Sequence, residues 1–380
     1  MSPPPPSQER NNASARNHPE FVASAIQELL ADGRIKEVSQ KPHTINPLTV
    51  VEGRKLRLVL DLRNVNPYVL RTKFRYEDLK VVSDILQKGD YMASFDLRSG
   101  YHHIFIHEDF QQYLGFAWTF PDGVTRYYVF TVLPFGLTSA SYIFTKLLRP
   151  ICKFWRASGR RCVIYLDDGF LLDSSHAGAL NFCSQAQRTL VDAGLSVNLE
   201  KSSLFPSQCL EWLGILIDSS AMLFRTPQRK IEKLLDLLQS ACASSSLSPR
   251  QVARIAGKLV SLELALGPLT HLLTRQMYSF IGVDPVWDLK RPFGLEVRQE
   301  FVFWVSNLPR LDGSAVRSRT RRALPFSCAT LALQAMVVCS ALIREPRRCE
   351  DVSLIRRRKG VRRLENFWQS STRWTLSRLF

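Results

Sequence analysis

Tyr165-Leu166-Asp167-Asp168 is the stretch on which the reading of this chain turns. It sets two adjacent carboxylates between the apolar segments Cys162-Val163-Ile164 and Gly169-Phe170-Leu171-Leu172, the pattern of two short strands joined by an acidic turn. Two neighbouring carboxylates at the tip of an apolar hairpin are costly to desolvate unless cations neutralise them. A divalent-metal site with a third carboxylate is therefore expected. Asp96, which closes the strand-like run Tyr91-Met92-Ala93-Ser94-Phe95-Asp96, is the best candidate. Such hard oxygen ligands suit two Mg²⁺ ions, or Mn²⁺ in their place. Two ions roughly 3.5–4 Å apart can activate an attacking hydroxyl and stabilise the leaving oxygen of a phosphoryl transfer, so nucleotidyl transfer is the leading chemistry. The plain alternative is a solvated turn in which Asp caps its own backbone.

The surrounding segments shift that balance. Lys55-Leu56-Arg57-Leu58-Val59-Leu60-Asp61-Leu62-Arg63-Asn64-Val65-Asn66 comes first, then Asp96-Leu97-Arg98-Ser99-Gly100-Tyr101-His102-His103. Leu133-Pro134-Phe135-Gly136-Leu137-Thr138-Ser139-Ala140 precedes the acidic turn. Gly194-Leu195-Ser196-Val197-Asn198-Leu199-Glu200-Lys201-Ser202 and Leu210-Glu211-Trp212-Leu213-Gly214 follow it. In this order and spacing, from about Ile45 to about Arg310, the chain resembles the reverse transcriptases of retroelements, most closely those of the DIRS class. The resemblance implies an α+β right-hand polymerase with fingers, an antiparallel-sheet palm and a helical thumb. It also implies an RNA-directed DNA polymerase that uses an RNA template, a DNA primer and dNTPs.

By that resemblance Asp96, Asp167 and Asp168 hold the metal ions, and Arg57 holds the incoming triphosphate. Arg57 offers a planar, permanently charged fork; a solvated strand arginine is the alternative. The backbone carbonyl of Leu97 can ligate one ion, and the amides of Ser99 and Gly100 can face triphosphate oxygens, with Gly100 allowing close approach. Tyr101 would sit under the sugar and exclude a 2′-hydroxyl, unless it is simply a core tyrosine. Phe135 would form a flat wall beside the nucleotide and Gly136 would admit a base pair, or the pair merely starts the helix expected over Ser139–Leu148. Lys201 is the candidate proton donor to pyrophosphate, against a solvated loop charge. Tyr165, Trp212, Leu213 and Gly214 would press on the primer end, although a core tryptophan explains the ring nearly as well. His102 and His103 lack partners at zinc spacing and are read as strand packing.

Around these motifs, residues 1–18 with Pro3–Pro6 are expected to be disordered. Phe21, Ala25, Ile26, Leu29 and Leu30 mark a short amphipathic helix ended by Asp32-Gly33. Fingers and palm are assigned to 19–226, with a turn at Glu52-Gly53, and a helical thumb to 227–280. Within the thumb the apolar residues Ile231, Leu234, Leu235 and Leu238, then Val252, Ile255, Leu259 and Leu262, recur at helical spacing; Ser248-Pro249 is a strong helix start. Residues 281–312 read as a connection remnant and 313–380 as an Arg-rich tail of uncertain fold.

Net charge is +17, and the last 70 residues, with 14 Arg and 1 Lys against 5 acidic residues, carry +10 of it. The modest excess left for the body suits a nucleic-acid enzyme whose binding weakens as salt rises. Glu300–Arg310 resembles the DIRS-type stretch that leads into ribonuclease H, but no Asp occurs between Asp312 and Asp351, so no ribonuclease H activity is expected. A frame change or altered splice in a decayed element is one origin for that tail. The apolar run Ala329–Ile343 is too short for a membrane span of ~20 residues. No N-terminal targeting signal is evident, and eight cysteines without CxxC spacing suggest reduced thiols in cytoplasm or nucleus. Arg356-Arg357-Arg358-Lys359 is a nuclear address, a nucleic-acid patch or a solvated charge run. Two competing functions remain: a non-catalytic nucleic-acid-binding relic, and a polymerase that makes RNA, which the aromatic side chain at Tyr101 disfavours. Oligomeric state cannot be read from the chain.

Overall fold

The computed structural model describes residues 3–53, 55–282 and 286–316. Its centre is a four-stranded antiparallel sheet in the order Ser203–Ser207, Tyr91–Asp96, Asp168–Asp173, Arg161–Tyr165. The middle strands are apolar on both faces because both faces are covered. Ala93, Phe95, Cys162, Ile164 and Leu171 point to the helices Ala140–Ala157 and His176–Asp192, where Trp155, Phe144 and Phe182 complete one core. Met92, Val163, Phe170 and Leu172 point the other way, into a core shared with Trp212, Ile217 and the thumb helices. The alternation along each strand thus divides the palm sheet between two cores, and neither face is left to water.

The fingers have a third core. A five-stranded mixed sheet, ordered Ser7–Gln8, Thr44–Ile45, Gly115–Thr119, Thr125–Phe130, Ile35–Val38, packs with the helix Pro19–Ala31 through Val22, Ile26, Phe116 and Tyr128. The hairpin Leu48–Val51 and Arg57–Leu60 adds Leu48, Val50 and Leu60 to that core. Gly33, at φ +66°, ends the Pro19–Ala31 helix as its position suggests.

The N-terminus is a correction. Expected to be disordered, it is instead tied to the fingers: Ser7–Gln8 pairs in parallel with Thr44–Ile45, and Ala15, in a turn of helix over Ala13–Arg16, is fully buried. The physical reason is polar rather than apolar. Asn11 donates to the Ala117 carbonyl at 2.9 Å and accepts from the Leu48 amide at 2.8 Å, while Asn12 donates to the Thr49 hydroxyl at 2.6 Å.

The thumb comprises helices Gln228–Ala243, Pro249–Ser261 and Arg275–Gly282 with two shorter turns of helix between the last two. Ser248 forms the capping box with Gln251, so the helix start read from Ser248-Pro249 holds. Leu295–Leu311, within the expected connection segment, packs on this bundle. Its Val297, Phe301, Trp304 and Leu308 are buried in the palm–thumb core, and the Trp304 indole donates to the Leu273 carbonyl at 2.8 Å. The helix expected over Ser139–Leu148 runs on to Ala157 despite Pro150. Of the expected Arg-rich tail over 313–380 only 313–316 is described; the rest, with the Ala329–Ile343 run and the Arg356–Lys359 patch, lies outside the described residues.

Candidate active site

In the palm hairpin Tyr165 stands opposite Asp168, leaving Leu166 and Asp167 as a two-residue turn. Leu166 takes φ +53°, a left-handed conformation that leucine adopts only where the surroundings impose it. On its other side Asp168 pairs with Asp96, and the Leu97 amide donates to the Asp167 carbonyl at 2.9 Å. The strand end at Asp96 is fixed in turn: its amide donates to the Ser202 hydroxyl at 3.0 Å, and its carbonyl accepts from the Asn198 amide at 2.8 Å. Residues 71 and 72 positions apart in the chain are thereby brought side by side, with Lys201 Nζ 3.6 Å from an Asp96 carboxylate oxygen.

The electrostatics follow from that crowding. Burial first, then repulsion from Asp167 and Asp96, pushes the Asp168 carboxyl up to about 6. Burial, with Asp96 adding to it, also raises Asp167. The side chains are not already drawn in to ligand spacing: among the described residues no group of three or more His, Cys, Asp or Glu side chains meets it. The donor set nonetheless fits a hard divalent cation, because partly buried carboxylates held above their ordinary range gain from a positive charge that would keep them ionised. A pH dependence follows. Without metal, the raised Asp168 makes the folded protein hold its proton longer than the unfolded chain, so stability should fall as pH rises from about 4 through about 6 and then level. A cation must displace that proton, so Mn²⁺ affinity should rise over the same range and plateau above it. Thermal melts with and without Mn²⁺ from pH 4.5 to 8 check both; a metal-induced gain that is flat across pH 5–7 would sink the assignment.

Of the residues expected to face a nucleotide, Gly100 lies beside this hairpin and carries Tyr101 and Phe135 with it. Ser99 adopts φ +61° and opens a 3₁₀ turn over Gly100–His103. The Ser99 hydroxyl accepts from Arg34 of the fingers at 3.2 Å, and Asp32 holds the same guanidinium at 2.9 Å. A Cβ on Gly100 would lie 3.8 Å from Asp167 and Phe144 atoms, an ordinary contact, so the protein's own packing does not demand glycine there. Tyr101 is half-buried with its hydroxyl 2.9 Å from the Ser141 hydroxyl and its ring 5.1 Å from that of Phe135. Phe135 is 49% exposed, a flat apolar face open to solvent. Gly136, at φ +100°, brings its Cα so close to the Leu60 carbonyl that an added Cβ would meet it at 2.7 Å. Asn66 completes this junction, donating to the Gly136 carbonyl at 3.0 Å and accepting from the Thr138 amide at 2.8 Å. Arg57 is exposed at the start of the strand that ends in Leu60. Arg34, Asn66, Ser141 and Ser202 were not singled out from the sequence, where no local pattern distinguishes them.

For the residues expected at the primer end the outcome is divided. Tyr165 is half-buried, its ring 5.0 Å from that of Tyr76. Leu213 and Gly214 form the tip of the hairpin Cys209–Trp212 and Ile215–Asp218. Trp212 is a correction: it is 3% exposed and its ring lies 5.0 Å from that of Phe170, so the ring packs in the core and not on the hairpin's surface. Its strand position points inward because Leu210 and Trp212 alternate with Glu211. His102 and His103 are also displaced from the expected strand to the 3₁₀ turn; burial lowers the His102 ring to about 4, so it is neutral near pH 7.

Residues 38–217 match the family model described as reverse transcriptase (RNA-dependent DNA polymerase). The Pol polyprotein of the Drosophila melanogaster transposon gypsy is 26% identical over 231 residues, covering 59% of this chain and 21% of that protein. The enzymatic polyprotein of Figwort mosaic virus is 24% identical over 205 residues, covering 52% of this chain and 29% of the polyprotein. Among solved structures, the foamy viral protease-reverse transcriptase in complex with RNA/DNA hybrid superposes with a TM-score of 0.67 at 21% identity, covering 84% of this chain and 40% of that one. The fold is accordingly that of a right-hand polymerase. The chain spans about a fifth to a third of the length of these polyproteins.

Proposed function

We propose, from the premise that residues 38–217 carry a reverse transcriptase domain of retroelement type, that this chain is an RNA-directed DNA polymerase. Its partners would be an RNA or DNA template, a DNA primer and dNTPs. One observation carries the reading: strand register sets Asp168 against Asp96 with Asp167 at the adjoining turn, three acidic groups at one strand end. Asp96, Asp167, Asp168 and the Leu97 carbonyl would hold two divalent cations, Mg²⁺ or Mn²⁺, which supply activation of the primer 3′-hydroxyl and neutralise charge on the departing pyrophosphate.

The chain's own residues do the rest. Arg57 and the amides of Ser99 and Gly100 hold the triphosphate, Phe135 and Gly136 border the nucleotide, and Lys201 passes a proton to the leaving oxygen. Tyr165, Leu213 and Gly214 hold the primer end. Within the retroelements we assign the DIRS class, on the Glu300–Arg310 stretch and the motif spellings. The test is primer extension by purified protein on an RNA template. Extension by wild type that is lost in Asp167→Asn supports the reading, whereas template binding with no extension under Mg²⁺ or Mn²⁺ would leave a nucleic-acid-binding relic.

Tyr101 supplies a sharper check of site geometry. Its hydroxyl is anchored to Ser141 and its ring rests on Phe135 and Phe144, so it is held rigidly at the edge of the site. Tyr101→Val should raise ribonucleotide incorporation relative to deoxynucleotide by about 10²-fold, roughly 2.7 kcal/mol of lost discrimination. Unaltered sugar discrimination in competitive incorporation assays would refute the gate assignment.

A further inference from the structure

The tip of the primer-side hairpin is held from outside. Trp212 pairs with Ile215, so Leu213 and Gly214 form a two-residue turn, and both take positive φ, +47° and +75°. A turn of that kind favours Asn-Gly; a leucine at its first position is strained by about 1 kcal/mol or more. At this strained turn Lys230, in the first turn of the Gln228–Ala243 helix, donates from Nζ to the Gly214 carbonyl at 2.7 Å. The fit is close: a Cβ on Gly214 would lie 2.1 Å from that nitrogen. The neighbouring Arg229 makes a two-pronged ion pair with Glu211, both contacts at 2.5 Å, so adjacent cations of the thumb grip the strand and the tip.

Lys230 is also in an unusual place for a lysine. It is half-buried, and burial lowers its ammonium below the ordinary range, with Arg229 and Lys258 acting the same way and Glu211 opposing. Holding a cation there is costly unless its carbonyl partner is retained. A surface helix could be tethered by Arg229 alone. The second, half-buried cation instead immobilises the one segment of this hairpin that Trp212, turned into the core, does not anchor.

We propose that Lys230 is a positioning residue for the primer strand: its bond to the Gly214 carbonyl fixes the Leu213–Gly214 turn and couples the primer-end contact to the base of the thumb. This rests on the primer-end role of that turn proposed above. The bond is charge-assisted and partly shielded from water, so its loss should weaken productive binding by about tenfold.

The test uses the full chain with Lys230→Met, which keeps the aliphatic stem and removes the charge. Hydrogen exchange over 211–216 in the free protein reports on the turn, and fluorescence anisotropy with a labelled DNA primer on an RNA template reports on binding. Exchange should quicken at least tenfold and the primer–template Kd should rise about tenfold, while Glu211→Gln, which leaves Lys230 in place, should keep Kd within twofold. Quickened exchange with unaltered Kd overturns the proposal, as does unaltered exchange. Should Lys230→Met fail to fold, Lys230→Gln, which keeps a polar end but loses the charge and the reach, should give the same pair of changes; wild-type values for either would equally overturn it. A wild-type protein that binds the hybrid but does not extend it strikes at the polymerase reading, and the exchange and binding data still decide the role of Lys230.

Discussion

Asp168→Asn should abolish primer extension while leaving a folded and more heat-resistant protein. The activity loss is expected to reach at least ~10³-fold in kcat, about 4 kcal/mol of transition-state stabilisation, because a neutral amide can neither hold a cation at full charge nor take part in a shared pair of ions. The stability gain comes from the same crowding that suits the residue to its proposed role. Asp168 sits next to Asp167 in sequence and across from Asp96 in register, and its carboxyl is pushed up to about 6 by burial and by those two charges. Removing that charge at pH 7 relieves the cost of its burial and then the repulsion, together about 1–2 kcal/mol once solvent screening is allowed for. Stability above about pH 6 should rise towards the value that wild type has near pH 4, and the pH dependence between the two should shrink. Calorimetry on metal-free protein, paired with primer extension in Mg²⁺ and Mn²⁺, measures both. A variant that is less stable than wild type at pH 7 without metal, or that still extends primers at a tenth of the wild-type rate, contradicts the arrangement.

The central palm strands were legible because they are buried on both faces, which writes them as mostly apolar runs next to acids. Tyr91–Asp96 and the two sides of the 165–168 turn could be placed as strands from that signal alone, and the structure adds only the register. Trp212 was ambiguous for a physical reason: an aromatic ring in a short hairpin carries no mark of which face it occupies, and the neighbouring Glu211 decides it only once the strand is known. Composition registers apolar burial, whereas residues 7–16 are held by Asn11, Asn12 and Ser14, which bond to residues 36 to 106 positions away. Arg34, Asn66 and Lys230 belong to the same class. Each bonds to a segment distant in sequence, and nothing adjacent to it announces the contact. Helices of the thumb, with strong apolar periodicity and a capping box, were readable; the burial of Leu295–Leu311 against them was not, because an amphipathic helix does not name its partner.

Gly169→Ala tests the packing that sets the acidic pair. Gly169 follows Asp168 and stands opposite Phe95, whose ring lies over it so closely that an added Cβ would fall 2.1 Å from two ring carbons. The ring has nowhere to retreat. It is 2% exposed and meets the fully buried Trp155 edge-on at 6.1 Å, and Trp155 in turn packs edge-on against Phe182. One methyl group must therefore displace either the core beneath the palm helices or the strand that carries Asp168. Overpacking of this kind costs about 2–3 kcal/mol, and the strand is the softer element because its preceding residues are a strained turn at Leu166. Gly169→Ala should thus lower thermal stability and also cut primer extension by about 10²-fold, since a shift of the strand by a few tenths of an ångström moves Asp168 relative to Asp96. Phe95→Leu in the same chain removes the clashing ring carbons and should restore much of both, a coupling of at least ~1 kcal/mol in a double-mutant cycle. If Gly169→Ala behaves like wild type in melting and extension, or if Phe95→Leu adds its own loss instead of relieving the first, then the glycine does not set the spacing of the two aspartates.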